Sequence, residues 1–229
     1  SKPPLIAWIL AGTSSVFDHQ NFGQLLALRI SAPLFHTLTA LFLWQTGRLL
    51  FSDNAGRLAA VLWISLPAVG LGSFVMSTDT PLLLFWSAGL YCLVRADETF
   101  HPNYHWMGLA GICVGLATLS KYAGLYFILS LILWIMTGSF RKPSQKIKLF
   151  GIFFTTAFFA SLPTWLWNYN NGFVTLLHLV ENANFSKSGV SIAKAPGGSF
   201  EGISAFWGAQ FFVFGPVTLL LLFFSLAGL

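Results

Sequence analysis

The feature that most constrains this chain is a succession of apolar stretches almost free of charge. They run from Gln24 to Gln45, Leu58 to Met76, Pro81 to Val94, Trp106 to Ser120, Tyr122 to Gly138, Ile147 to Trp167 and Ala205 to Leu229, after a shorter one from Pro3 to Phe17. A helix needs about 20 mainly apolar residues to cross a bilayer core, somewhat fewer when neighbours cover part of it. Continuous apolarity without alternation favours helices over barrel strands. Only 8% of the 229 residues are Asp, Glu, Lys or Arg, against about a quarter in soluble domains, and the mean hydropathy is +0.72. These figures exclude an ordinary soluble globule and a disordered chain, and two cysteines exclude a disulfide-built scaffold. The expectation is an all-α polytopic bundle of about six to seven spans, with the Pro3 to Phe17 run lying along the surface. The start at Ser1 and the apolar end at Leu229 lead us to expect a piece of one larger transmembrane domain, with residues 1–229 all belonging to it.

The few cations set an orientation, because cytoplasmic loops near span ends are enriched in Lys and Arg. Arg141, Lys142, Lys146 and Lys148 lie between two apolar runs, and that loop is assigned to the cytoplasm. Counting spans backwards puts Arg95, Arg48 and Arg57 on the same side and Lys2 and Ser77 to Thr80 outside. Counting forwards puts Asn168 to Ile203 outside. The net charge of +5 is then mostly a topology signal, and no nucleic-acid partner is needed to explain it.

Four polar places remain on the outer side. Lys2 precedes Pro3-Pro4 and reads either as a snorkelling anchor or as a cation aimed at a phosphate. Asp79, within Ser77-Thr78-Asp79-Thr80-Pro81, reads as a helix cap or as a carboxylate that orients a cation, a metal or an acceptor hydroxyl. Lys121 divides two apolar runs, and an ionisable group in such a place usually faces a partner or a wet cavity, with snorkelling as the plain alternative. The glycines Gly108, Gly111, Gly115 and Gly124 nearby read as close helix packing rather than as ligand contacts. The fourth place is the outer loop from Pro163 through Trp167-Asn168 to His178 and Glu181, whose aromatics suit either an interfacial belt or sugar binding. The other histidines have no metal-ligand spacing, Cys92 and Cys113 form no CxxC pair, and no Walker loop, GxGxxG or nucleophile elbow occurs.

Taken in order, Lys2-Pro3-Pro4-Leu5-Ile6-Ala7-Trp8, Phe22-Gly23 to Arg29, Ser77-Thr78-Asp79-Thr80-Pro81, Gly115 to Ser120-Lys121, Pro163 to Trp167-Asn168 and Gly208-Ala209-Gln210 to Gly215-Pro216 resemble a known family. It is the dolichyl-phosphate-mannose–protein mannosyltransferase superfamily of membrane glycosyltransferases, which includes bacterial glycosyltransferase family 39 and the aminoarabinose transferases of lipid A. The resemblance implies a GT-C fold and an inverting glycosyltransferase. Such an enzyme passes a sugar from a polyprenyl-phosphate carrier to a glycan, lipid or protein acceptor at the outer face of the bacterial inner membrane.

The resemblance also implies that Lys2 contacts the carrier phosphate, that Asp79 and Lys121 line or support the outer cavity and that Arg29 matches an arginine near the outer end of the next helix. The chemistry of a leaving phosphate makes Lys121, with Arg29, a further donor-phosphate candidate, and the outer loop adds Asn168 and His178 as residues to line the cavity or orient a cation. A divalent cation is compatible with such an enzyme, and one aspartate with His178 does not make a metal site. The family's general base is expected upstream of Ser1, so Asp79, Glu181 and Glu201 are not assigned that role. From the residues alone, a transporter or flippase-like protein is the rival, with Lys121 and Asp79 as its charge relay. The absence of an internal repeat and the gathering of polar residues at one face disfavour it.

Overall fold

The computed structural model describes residues 3–17, 21–97, 103–137 and 143–175, with 208, 213–215 and 218 beyond them. Lys2, Arg141, Lys142, His178, Glu181, Glu201 and nearly all of the Ala205 to Leu229 run lie outside the described residues. Every regular element within them is helical. In chain order these are α1 (Leu5–Phe17), α2 (Asn21–Arg29), α3 (Ser31–Leu50), α4 (Asp53–Ser65), α5 (Pro67–Gly72), α6 (Asp79–Asp97), α7 (Tyr104–Ser120), a 3-10 turn (Tyr122–Tyr126), α8 (Phe127–Thr137) and α9 (Pro143–Asn170).

Two helical stretches, Leu26–Leu50 and Ser144–Asn170, are long and apolar enough to cross a membrane. Apolar helices of this length also occur at the centre of soluble proteins, where they are covered. Here only 33% and 22% of their most apolar windows are buried, and Leu34, Leu41, Val61, Ile64, Leu129, Leu133, Phe158 and Phe159 stand exposed. So much outward apolar surface suits hydrocarbon rather than water. The molecule is a helical membrane bundle.

The shorter apolar runs are broken for local reasons. Leu58 to Met76 reads as one span, yet α4 ends at Ser65 because Leu66, which precedes Pro67, is extended at φ −62°, ψ 126°. Tyr122 to Gly138 also reads as one helix, but its first turn is 3-10. There Gly124 lies directly on the backbone of Ala117 and Thr118, where a Cβ would come within 2.6 Å of a backbone carbon.

The centre of the bundle is α7, packed between α6 and α9. Gly111 and Gly115 carry the α9 contact: a Cβ on Gly115 would sit 2.7 Å from Ala157 O and 3.2 Å from Ser161 N. Small residues spaced this way let two backbones approach, the usual means of helix association where no hydrophobic effect operates. Met107, Ala110, Val114, Phe127, Leu131, Leu149 and Phe153 fill the adjoining core.

Two ends follow from these contacts. At one, Phe42 of α3 lies 5.8 Å from Tyr91 of α6, and Tyr91 lies 5.7 Å from Trp106 in the first turn of α7. The Arg95 guanidinium sits 5.3 Å over the Trp106 ring, and Tyr104 and Lys148 share a groove there. At the opposite end are the start of α1, the start of α6, the end of α7 and the end of α9.

Candidate functional site

The second end brings together Asp79, Lys121 and Asn168, three of the six candidate residues singled out in the sequence. Asp79 opens α6. Its N–H donates to the Ser77 hydroxyl at 3.3 Å, so the capping acceptor is Ser77, and the Asp79 carboxylate is turned to another partner. That partner is Lys121, whose Nζ donates to Asp79 Oδ1 at 2.7 Å. The two residues are 42 apart in sequence.

Lys121 is held by the way α7 ends. It is extended, at φ −156° and ψ 141°, with its N–H returned to Ala117 O at 3.0 Å. Its carbonyl accepts from Gly124 N at 2.9 Å in the 3-10 turn. Beside it, the Ser120 hydroxyl donates to Thr78 O at 2.5 Å, which ties the same two segments a second time. The Lys121 and Asp79 side chains are 49% and 52% exposed, so the pair stands at the bundle end rather than in its interior. An ammonium has three N–H donors, and Asp79 takes one.

Next to this pair lies a cleft of about 210 Å³. Pro3, Pro4 and Trp8 form one wall, Tyr122 the second, and Pro163, Thr164, Trp167 and Asn168 of α9 the third. Asn168 Nδ2 donates to Thr164 O at 2.9 Å and to the Tyr122 hydroxyl at 3.3 Å. The structure brings Lys121, Asp79 and Asn168 to one end of the bundle, and Pro3-Pro4, which follow Lys2 in sequence, border the cleft. Arg29 is different. It stands exposed at the end of α2, and among the described residues no hydrogen bond or ion pair joins it to Asp79, Lys121 or Asn168.

Tyr122 and Thr164 were not singled out by the sequence reading. Tyr122 follows Lys121, and Thr164 is four residues before Asn168 on a helix, which puts the two on one face. That spacing is the signal that could have found Thr164. Among the described residues no three His, Cys, Asp or Glu side chains converge as metal ligands would. A larger groove of about 520 Å³ beside Lys148 and Tyr104 lies at the opposite end and is open along α9.

With this geometry in hand, comparison with known proteins is decisive. The family model described as dolichyl-phosphate-mannose-protein mannosyltransferase matches residues 1–167. The chain belongs to that family of GT-C glycosyltransferases. It is also 28% identical over 222 residues to the lipid A galacturonosyltransferase RgtD of Rhizobium johnstonii, across 95% of this chain and 43% of that relative. The chain thus spans less than half the length of the curated relative it matches. No solved structure matches it.

Proposed function

We propose that the intact protein transfers a sugar from a polyprenyl-phosphate carrier to an acceptor at the outer face of the bacterial inner membrane, and that the Lys121–Asp79 end of the bundle holds the donor. The carrying observation is the ion pair itself: two segments 42 residues apart converge on a half-exposed ammonium beside a partly open cleft. Family membership supplies the reaction type. In the direction this reading takes, residues 1–229 form part of a single GT-C transmembrane domain.

The chemistry asks for these residue types. As the acceptor oxygen attacks C1 of the sugar, the bond to the carrier phosphate breaks and negative charge develops on the phosphate oxygens. A positioned cation in a poorly hydrated site stabilises that charge, and loss of one such donor costs roughly 3–4 kcal/mol. Lys121 supplies the cation and Asp79 fixes its direction; Lys2, outside the described residues, is taken as a second cation on the strength of the family resemblance alone. Orientation follows the distribution of cations: Arg48, Arg57, Arg95, Lys146 and Lys148 mark the cytoplasmic end, which leaves the Lys121 end outside.

The relative's name gives lipid A as acceptor and galacturonate as sugar, and both are taken here as first candidates. The test incubates membranes containing the intact protein with a radiolabelled galacturonosyl polyprenyl phosphate and lipid A. Label entering the lipid A fraction is the expected result. Absence of transfer from this and from hexosyl carriers, to lipid A and to membrane glycan or protein alike, overturns the proposal.

A further inference from the structure

Two residues that line the cleft beside Lys121 each carry a buried hydrogen-bonding atom without a protein partner. Thr164 and Asn168 are both 3% exposed, and Thr164 Oγ1 and Asn168 Oδ1 have no partner. For Asn168 the orientation of the amide is determined by its neighbours. Thr164 O can only accept, so the group facing it at 2.9 Å must be the NH₂. That leaves Oδ1 as the vacant acceptor. Thr164 shares an unpartnered hydroxyl with Ser31 and Thr175 among the described helical residues, and of the three only Thr164 lines this cleft. Thr39, Thr118, Thr156 and Ser161 each donate to the carbonyl four residues back, whereas Thr164 does not return its proton to α9.

Buried polar groups are nearly always satisfied, and a pair of vacant ones in a single cleft calls for a partner. The Tyr122 hydroxyl adds a third group, since it accepts from Asn168 Nδ2 and keeps its own proton to donate. At the mouth, Trp8 and Trp167 are 50% and 41% exposed. An aromatic lining with a few convergent polar groups is the composition of a small-molecule site. The partner must offer a donor to Oδ1 and an acceptor or donor to Oγ1, must present an apolar face to indole, and must be of about one ring's size. A carboxylate or phosphate alone has no donor for Asn168 Oδ1 and fits poorly.

We infer that this cleft holds the sugar ring of the donor, and that Thr164 and Asn168 recognise its hydroxyl groups. The inference rests on the donor-binding reading above and adds which part of the donor goes where: the ring beside α9 and the phosphate towards Lys121. Thr164 and Asn168 are thereby specificity residues, distinct from the cations that hold the phosphate.

The test compares equilibrium binding of three labelled probes to the intact protein in nanodiscs: a bare polyprenyl phosphate, the same carrier bearing a hexose, and the same carrier bearing a hexuronate. Thr164→Val is nearly isosteric and removes only the hydroxyl. Asn168→Leu removes the amide, and its folding is followed by thermal unfolding. The expected result is that wild type binds a sugar-bearing carrier more tightly than the bare one. Thr164→Val weakens the sugar-bearing probe about fivefold to tenfold, as expected for one lost hydrogen bond, and leaves the bare carrier unchanged. Equal loss for both probes, or no loss, overturns the sugar cleft while leaving donor binding intact. Failure of wild type to bind any carrier overturns the donor reading itself.

Discussion

Replacing Lys121 by Met keeps the stem and removes the charge, and the structure separates what this does to folding from what it does to chemistry. The Lys121–Asp79 pair is close, at 2.7 Å, but both side chains are about half exposed. Exposed pairs contribute about 0.2–1 kcal/mol. Because water solvates the remaining Asp79 carboxylate, Lys121→Met is expected to cost less than about 1 kcal/mol, a shift of roughly 2–4 °C in Tm for a domain of this size. Loss of a cation that stabilises a leaving phosphate is a larger matter, about 10²–10³ in rate. Lys121→Arg keeps the charge and recovers part of that loss. The assay is initial transfer from a labelled carrier in membranes, normalised to the amount of inserted protein, with thermal unfolding in detergent alongside. Transfer by Lys121→Met within about threefold of wild type would refute the role assigned to this lysine. A fall in stability beyond about 3 kcal/mol would show instead that the residue holds the bundle together.

Two other perturbations test the architecture. Gly115→Leu places atoms against Ala157 O and Ser161 N; overpacking of this kind costs about 1–3 kcal/mol, seen as a lower unfolding temperature in detergent. Gly151→Ala on α9, where nothing lies within 4 Å, is the control and should be neutral or slightly stabilising; equal behaviour of the two would contradict the α7–α9 contact. For orientation, single cysteines at Ser77 and Ser144 are introduced with Cys92 and Cys113 replaced by alanine. A membrane-impermeant maleimide added to intact spheroplasts should label Ser77→Cys and spare Ser144→Cys, and the reverse pattern would invert the topology.

The sequence made the helical class and the grouping of Asp79, Lys121 and Asn168 at one end legible, because spans alternate sides and an odd charge between apolar runs must lie near an end. The pairing of Asp79 with Lys121 entered the sequence reading only as the rival's charge relay; their contact depends on how α6 and α7 cross, where a Cβ on Gly89 of α6 would meet Cys113 Cβ of α7 at 3.6 Å. Helix breaks were misjudged where a single proline or glycine outweighs apolarity, at Leu66-Pro67 and around Gly124. Thr164 escaped notice because a threonine in an apolar helix ordinarily bonds its own backbone, and only coordinates reveal one that does not.

The central claim, that the donor occupies the Lys121 end, is tested most directly by photolabelling. A polyprenyl-phosphate sugar carrying a small diazirine on the ring is irradiated with the intact protein in its membrane, and the modified peptides are identified by mass spectrometry. The account predicts labelling around Pro3 to Trp8, Tyr122 and Pro163 to Asn168, suppressed by excess unlabelled donor. Suppressible labelling confined to the groove of Tyr104, Lys148 and Thr155 at the other end would contradict it.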